Sequence, residues 1–205
     1  MIQALLEYFS GPLGRLELAA TVFLVVNVYL LGQQRLSNFA FGFVGVVLFG
    51  FLFHANRLYS DMLLQWLFYA PLQIIGFYLW KFGSTLGDGD VSEMRVVWLD
   101  FQYWLLIAIA VCIAAAGLGY AMSHTDASFP YADALTTTLS VMASLLMLKK
   151  IIENWVLWIV MDLIAIPIYV LKGLYVTAGL YVIFLGLSVI GLLRWSEDYA
   201  AREAK

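Results

Sequence analysis

The sequence predicts an all-α integral membrane protein with seven transmembrane helices, arranged as two parallel three-helix bundles joined by a linker helix (3+1+3). Of its 205 residues, 63% are hydrophobic and only 12% are charged, whereas soluble domains average about 25% charged residues. The apolar residues form seven runs, each close to the roughly 20 residues that a helix needs to cross a bilayer. The second and third runs resemble the sixth and seventh, which indicates an internal repeat.

The first bundle is predicted over residues 15–80 of a single transmembrane domain. Its helices are Arg15–Leu31, Asn38–Ala55 and Tyr59–Trp80. Each run ends where glycine or polar residues interrupt the apolar sequence. Asn38 opens the second helix, where a cap of the helix N-terminus is the structural alternative to a binding role. Pro71 removes a backbone hydrogen bond and predicts a bend in the third helix.

Residues 97–119 form the predicted linker helix, and residues 132–195 form the second bundle. The helices of this bundle are Ala132–Leu148, Ile152–Leu171 and Leu174–Trp195. A shift of 116 residues places Asn38 on Asn154, and one residue of slippage places Trp80 on Trp195. Two three-helix copies have the same orientation only if an odd number of helices separates them, hence the linker. Parallel repeats are a transporter architecture, with the solute site between the repeats near the bilayer midplane.

The basic residues predict the orientation in the membrane. One side collects eight of them and the other collects three. The eight are Arg35, Lys81, Arg95, Lys149, Lys150, Arg194, Arg202 and Lys205, and the three are Arg15, Arg57 and Lys172. Because cytoplasmic loops carry the excess of Lys and Arg, the N-terminus is predicted outside and the C-terminus in the cytoplasm.

Four side chains of the sixth helix form the main candidate site. Asn154, Trp155, Trp158 and Asp162 fall within about 100° of one another around a helix that turns 100° per residue. Asp162 is central in the helix, and an ionisable residue inside a membrane indicates a functional site. Two structural alternatives remain open. Asp162 could form an interhelical hydrogen bond that only holds helices together, and the tryptophans could belong to an interfacial aromatic belt. Glu153 is expected at the solvated boundary.

Other polar side chains extend the candidate site. On the third helix, Gln65, Tyr69 and Gln73 recur every four residues and share one face. Gln102 lies about a turn inside the fourth helix, and Asn38 opens the second helix. Asn27 in the first helix is a weaker candidate of the same kind. The substrate-binding set is therefore predicted to combine amides, carboxylate and aromatic rings.

This chemistry suits a polar solute with an aromatic, cationic ring. Amides and carboxylates hydrogen-bond hydroxyl and carboxamide groups, and tryptophan faces attract cations. Nothing basic lies at mid-membrane depth, so a phosphorylated solute would be held poorly. No Ser–His–Asp or Cys–His arrangement lies on the predicted helices, neither histidine has a second metal ligand at helical spacing, and the sequence has no phosphate-binding glycine loop. The sequence therefore predicts a protein that is not an enzyme and that has no metal site, no cofactor and no nucleic-acid partner.

At these residues the chain resembles the PnuC-type vitamin transporters. The resemblance spans nearly the whole chain and is strongest in Arg57–Gln65, in Asp133–Thr137, and in Glu153–Trp158 together with Asp162. It implies a fold similar to that of the SWEET sugar transporters and a homotrimer in the bacterial inner membrane. It also implies import of nicotinamide riboside by facilitated diffusion, with trapping by cytoplasmic phosphorylation. By position, the four helix 6 residues and Gln65 correspond to motifs of the family.

Three alternatives stay open. Sibling transporters carry thiamine or riboflavin, and thiamine is also an aromatic cation. Asp162 and Asp61 could make the protein a proton symporter. A third possibility is an integral membrane interaction subunit whose polar stripes pack against a partner protein instead of binding a solute.

Overall fold

Apolar α-helices account for most of the structure, a computed structural model that describes residues 10–55, 62–83, 94–125, 129–171 and 175–204. The helices are α1 (Pro12–Gly32), α2 (Ser37–Ala55), α3 (Ala70–Phe82), α4 (Phe101–Met122), α5 (Pro130–Leu148), α6 (Glu153–Leu171) and α7 (Tyr175–Glu203), and a π-helical segment, Leu64–Tyr69, precedes α3. Within the described ranges, six helices are long and apolar enough to cross a membrane. The all-helical, multi-pass prediction is confirmed, whereas the 3+1+3 arrangement stays a prediction.

The predicted third helix differs most in local geometry. The segment Leu64–Tyr69 is π-helical, and α3 begins at Ala70 with Pro71 in its first turn. Because α3 continues directly from this helical segment, with the Ala70 N–H bonded to the Gln65 carbonyl, Pro71 removes a backbone bond from a continuous helix. The irregularity therefore lies on the N-terminal side of Pro71, and π-helical turns of this kind are frequent at functional sites. Asp61 lies outside the described residues.

Two helix ends correct the sequence prediction. Helix α7 continues to Glu203 instead of ending at Trp195, and an Arg202–Asp198 ion pair at 3.0 Å spans its last turn. Pairs of opposite charge four residues apart stabilise exposed helix turns. Helix α4 begins at Phe101 instead of Val97, because the residues before it are held in an extended conformation.

The extended segment before α4 is tied to the link between α5 and α6. The Val97 N–H donates to the Lys150 carbonyl at 3.2 Å, and the Ile152 N–H donates to the Val97 carbonyl at 2.9 Å. The Leu99 N–H donates to Glu153 Oε1 at 2.8 Å. These bonds fix the start of α4 to the start of α6.

Contacts divide the chain into two compact units, with the boundary between residues 93 and 94. In the first unit, α2 packs against both α1 and α3. In the second unit, each helix packs against the next along the chain, from α4 to α7. The predicted linker helix therefore packs on α5 inside the second unit, and its role as a linker remains a prediction. The apolar core of this unit is formed by Val111, Leu139, Ala143, Leu146, Ile151, Leu157, Met161 and Ala165.

Candidate functional site

The first turn of α6 buries three consecutive side chains that carry hydrogen-bonding groups. Asn154 and Trp155 are fully buried, and Glu153 is 2% exposed. The Asn154 Nδ2 donates to the Ile151 carbonyl at 2.6 Å. The Glu153 carboxylate accepts the Leu99 N–H, so the expectation that Glu153 is solvated is wrong. Its burial results from the extended segment that covers it.

Trp155 packs inside the second unit and does not form part of a lipid-facing belt. Its ring meets that of Trp195 on α7 edge to face, with ring centroids 5.5 Å apart and an interplanar angle of 87°. Both tryptophans are fully buried. Gly191 makes this packing possible, because a Cβ there would lie 2.6 Å from the Trp155 indole. The aromatic-belt alternative is therefore wrong for Trp155.

Trp158 and Asp162 lie deeper along the same helix. Trp158 is half-buried and packs against the apolar core, so part of its ring is accessible. Asp162 is 1% exposed. The Ser188 hydroxyl of α7 lies next to this carboxylate. It forms no hydrogen bond of ordinary geometry with either carboxylate oxygen. Asp162 thus faces the protein, as its cost in lipid requires.

Helix α6 concentrates buried polar atoms that lack a hydrogen-bond partner. Among the described residues there are seven such atoms, and five of them belong to this helix. The five are Glu153 Oε2, Asn154 Oδ1, Trp155 Nε1 and both carboxylate oxygens of Asp162. Buried polar groups are nearly always paired in native proteins, so each exception calls for an explanation. A helix face with several of them can bind the hydroxyl and amide groups of a solute.

A second polar cluster, in the first unit, surrounds Gly42. The Asn27 Nδ2 donates to the Asn38 carbonyl at 2.8 Å, and all three amides of the cluster are buried, including Gln73. A Cβ on Gly42 would lie 2.7 Å from Asn27 Nδ2 and would overlap the Gln73 amide. The Gln73 Oε1 has no hydrogen-bond partner among the described residues. Glycine at position 42 therefore leaves the space that the amides of Asn27 and Gln73 occupy.

Asn38 does not cap α2 in the predicted way. It lies one residue inside the helix, and its Nδ2 donates to the Arg35 carbonyl at 2.6 Å. A capping side chain would instead accept a backbone N–H. Gln65 and Tyr69 are partly exposed in the π-helical segment, and Gln102 is exposed on the first turn of α4. The structure thus groups Asn38 with Gln73, and leaves Gln102 outside the buried face of α6.

The links before α2 and before α6 have the same backbone geometry. Gln34 and Lys150 occupy equivalent positions, with positive φ angles of 55° and 53°. In both links the next residue donates its N–H to the carbonyl five residues earlier, at 3.1 and 3.2 Å, as in a Schellman motif. Asn38 and Asn154 follow four residues after the positive φ, and each donates Nδ2 to the carbonyl three residues earlier, at 2.6 Å. The 116-residue shift therefore relates two pieces of backbone as well as two sequences.

The same shift relates one aromatic pair in each unit. Phe39 meets Trp80 edge to face at 5.0 Å and 88°, as Trp155 meets Trp195. The units differ one turn further along. Where the first unit has Gly42 with two buried amides, the corresponding positions of the second unit hold the Trp158 ring and two small residues. The correspondences are Gly42 with Trp158, Asn27 with Ala143, and, with the slippage, Gln73 with Ser188.

Comparison with known proteins places the chain in a family. Residues 14–197 match the profile of a family described as nicotinamide mononucleotide transporter. The nicotinamide riboside transporter PnuC of Neisseria mucosa is 29% identical over 203 residues, which cover 96% of this chain and 77% of the relative. The riboflavin/roseoflavin transporter RibM of Streptomyces davaonensis is 26% identical over 123 residues, which cover 60% of this chain and 57% of the relative. A crystal structure of the vitamin B3 transporter PnuC superposes with a TM-score of 0.73 at 28% identity, covering 96% of this chain and 86% of that one.

Proposed function

We propose that this chain, which belongs to the nicotinamide mononucleotide transporter family, imports nicotinamide riboside across the bacterial inner membrane. It is a multi-pass membrane transporter and not an enzyme. The observation that carries the proposed substrate is the α6 face, where the accessible Trp158 ring lies one turn from the buried, unpaired Asp162 carboxylate. The pyridinium ring of nicotinamide riboside is a flat cation, and its ribose offers several hydroxyl donors.

Trp158 and Asp162 would contact different parts of this substrate. The Trp158 face would stack on the pyridinium ring, a cation–π contact of about 0.5–2 kcal/mol. The Asp162 carboxylate can only accept hydrogen bonds, so it would bind ribose hydroxyls or the carboxamide N–H. Trp155 would support the site without stacking on the ring, because it packs α6 against α7. We also propose substrate-binding roles for Asn154, for Asn38, Gln65, Tyr69 and Gln73 in the first unit, and for Gln102 in the second.

The family description names the mononucleotide, whereas the Neisseria mucosa relative is named for the riboside. The two solutes differ by a phosphate group, which bears a charge of about −1.5 to −2 at neutral pH. Proteins bind phosphate through Arg and Lys. All the described Arg and Lys are exposed except Lys150, which lies in the link between α5 and α6 and not on a helix face, and this favours the uncharged ribose end of nicotinamide riboside.

A ligand-dependent melting screen tests this substrate choice. Purified protein in detergent would be heated with nicotinamide riboside, its mononucleotide, thiamine, riboflavin and a sugar. Only the riboside is expected to raise the melting temperature at micromolar concentrations. The partial similarity to RibM makes riboflavin the second candidate, and stabilisation by riboflavin alone would replace the proposed substrate. No stabilisation by any of the solutes would favour the interaction subunit.

We propose that transport is facilitated diffusion by a homotrimer, with the N-terminus outside. The distribution of basic residues supports this orientation, and the absence of a nucleotide-binding motif from the sequence fits an uncoupled carrier. Proteoliposomes loaded with unlabelled riboside test the mechanism. Uptake of labelled riboside should saturate and should be independent of sodium. In proteoliposomes without internal riboside, where counterflow is absent, accumulation above the outside concentration under an imposed pH gradient would instead establish proton symport.

A further inference from the structure

A groove of about 290 Å³ lies between the N-terminal part of α4 and the C-terminal end of α5. Leu106, Ile107, Leu145 and Leu146 form its apolar wall, and Tyr103 and Lys149 supply its polar side chains. It belongs to neither polar cluster described above. Its volume lies near the lower limit for pockets that enclose a small molecule, and such pockets also need several convergent polar groups. The groove is therefore poorly suited to a second polar solute.

The polar side chains of the groove lie near one end of it, and of the lining residues only Leu99 and Ile151, in the segments before α4 and α6, lie beyond them. Lys149 directly follows α5, and Tyr103 lies in the first turn of α4. The apolar wall extends from this end, since Leu106 lies about 4.5 Å further along α4 and Leu145 about 6 Å back along α5 at 1.5 Å per residue. Tyrosine and lysine are typical of the headgroup level of a membrane, with hydrocarbon beyond it.

We propose that this groove binds an anionic phospholipid, with an acyl chain along the apolar wall and the phosphate at Lys149. Basic pockets between transmembrane helices recognise anionic headgroups. Lys149 is exposed and forms no ion pair within the ranges that the structure describes. The negatively charged Asp100, three residues before Tyr103, does not line the groove. The arrangement therefore attracts a negative headgroup and accepts a hydrocarbon chain.

The site would also support the start of α6. Lys149 begins the link that leads to Asn154, and this link carries the positive-φ residue and the bonds to the segment before α4. A lipid held between α4 and α5 would stabilise both sides of that junction. This inference does not depend on which solute the protein transports.

Lipid binding by the purified, full-length protein provides the test. Native mass spectrometry and melting curves would compare phosphatidylglycerol with phosphatidylcholine of the same chain length. We expect phosphatidylglycerol to bind and to raise the melting temperature, and phosphatidylcholine to do so less. Lys149→Gln should bind phosphatidylglycerol about fivefold more weakly, the effect of one basic residue at an anionic surface. Lys81→Gln, which removes another exposed lysine at a helix end in the first unit, should bind as the wild type does.

Leu145→Trp tests the acyl-chain part of the site. Leu145 is 41% exposed, so a larger side chain fits there and would fill the groove. The variant should lose bound phosphatidylglycerol while keeping its affinity for the transported solute. Wild-type lipid affinity in Lys149→Gln, or equal binding of the two lipids, would overturn the proposal. A change in oligomeric state of Leu145→Trp with lipid binding intact would show that the groove contacts protein instead.

Discussion

Replacing Gly191 by alanine should destabilise the protein through a single, identifiable contact. The added Cβ would lie 2.6 Å from the Trp155 indole, much closer than the roughly 3.5–4.0 Å of favourable carbon contacts. Neither neighbour can yield easily, because Trp155 and Trp195 are fully buried and packed against each other. Overpacking of this kind costs about 1–3 kcal/mol. For a chain of this size, that corresponds to a fall in melting temperature of about 2–12 °C.

Gly186→Ala on the same helix is the matched control. A Cβ at position 186 would meet nothing within 4 Å. Both substitutions reduce backbone freedom in the unfolded chain and raise helix propensity by a similar amount. The difference between their melting temperatures therefore isolates the contact with Trp155.

Melting curves of the two variants in the same detergent measure this difference, and circular dichroism checks that both are helical. Trp155→Phe removes the ring atoms nearest to Gly191. In the double variant with Gly191→Ala it should recover part of the loss, with a coupling of about 0.5–3 kcal/mol, as expected for residues in contact. Equal melting temperatures for Gly191→Ala and Gly186→Ala would refute the packing of α6 on α7 described above.

Three further substitutions, each with a control variant, test the sites separately. Trp158→Ala should weaken binding of nicotinamide riboside about 2- to 30-fold by calorimetry and Trp158→Phe much less, whereas unchanged affinity in Trp158→Ala would remove the ring from the site. Gly42→Ala should displace the neighbouring amides and lower the affinity for nicotinamide riboside about fivefold, the value of one hydrogen bond. Gly117→Ala is its control and should bind normally, because its Cβ meets nothing within 4 Å. Glu153→Ala should lower the melting temperature by about 2–12 °C, because the partly buried Leu99 N–H loses its acceptor at a cost of about 1–3 kcal/mol. Glu153→Gln keeps an acceptor and should melt close to the wild type. Equal losses in both variants would contradict this role.

The helices could be predicted because a bilayer leaves little choice. Backbone groups in lipid must be satisfied within the segment, so a long apolar run has to be helical. The predicted end at Leu148 coincides with the end of α5. The end of α7 could not be found in this way. Beyond Trp195 the helix continues with charged residues that pair along the helix. A hydropathy pattern does not detect this pairing.

The candidate site was predictable along single helices but not between them. The shared face of Trp158 and Asp162 follows from helical periodicity alone. The burial of Glu153 depends on an N–H that is 54 residues away in sequence, at Leu99. The importance of Gly42 depends on side chains that approach it from two other helices. No local pattern records such contacts, because they arise only when the helices pack.

The two units help to separate residues that hold the backbone from residues that can act on a solute. Asn38 and Asn154 make the same local hydrogen bond after the same positive φ, so this geometry serves the link in both units. The edge-to-face aromatic pairs are common to both units as well. The units differ at Gly42 and Trp158, where one has buried amides and the other has a half-exposed ring. Buried amides can exchange hydrogen bonds with polar groups, whereas a half-exposed indole can stack on a flat cation. Substitution of Trp158 should therefore act mainly on affinity, whereas substitution of Asn154 should lower stability, through its Nδ2 bond to the link, as well as affinity, through its unpaired Oδ1.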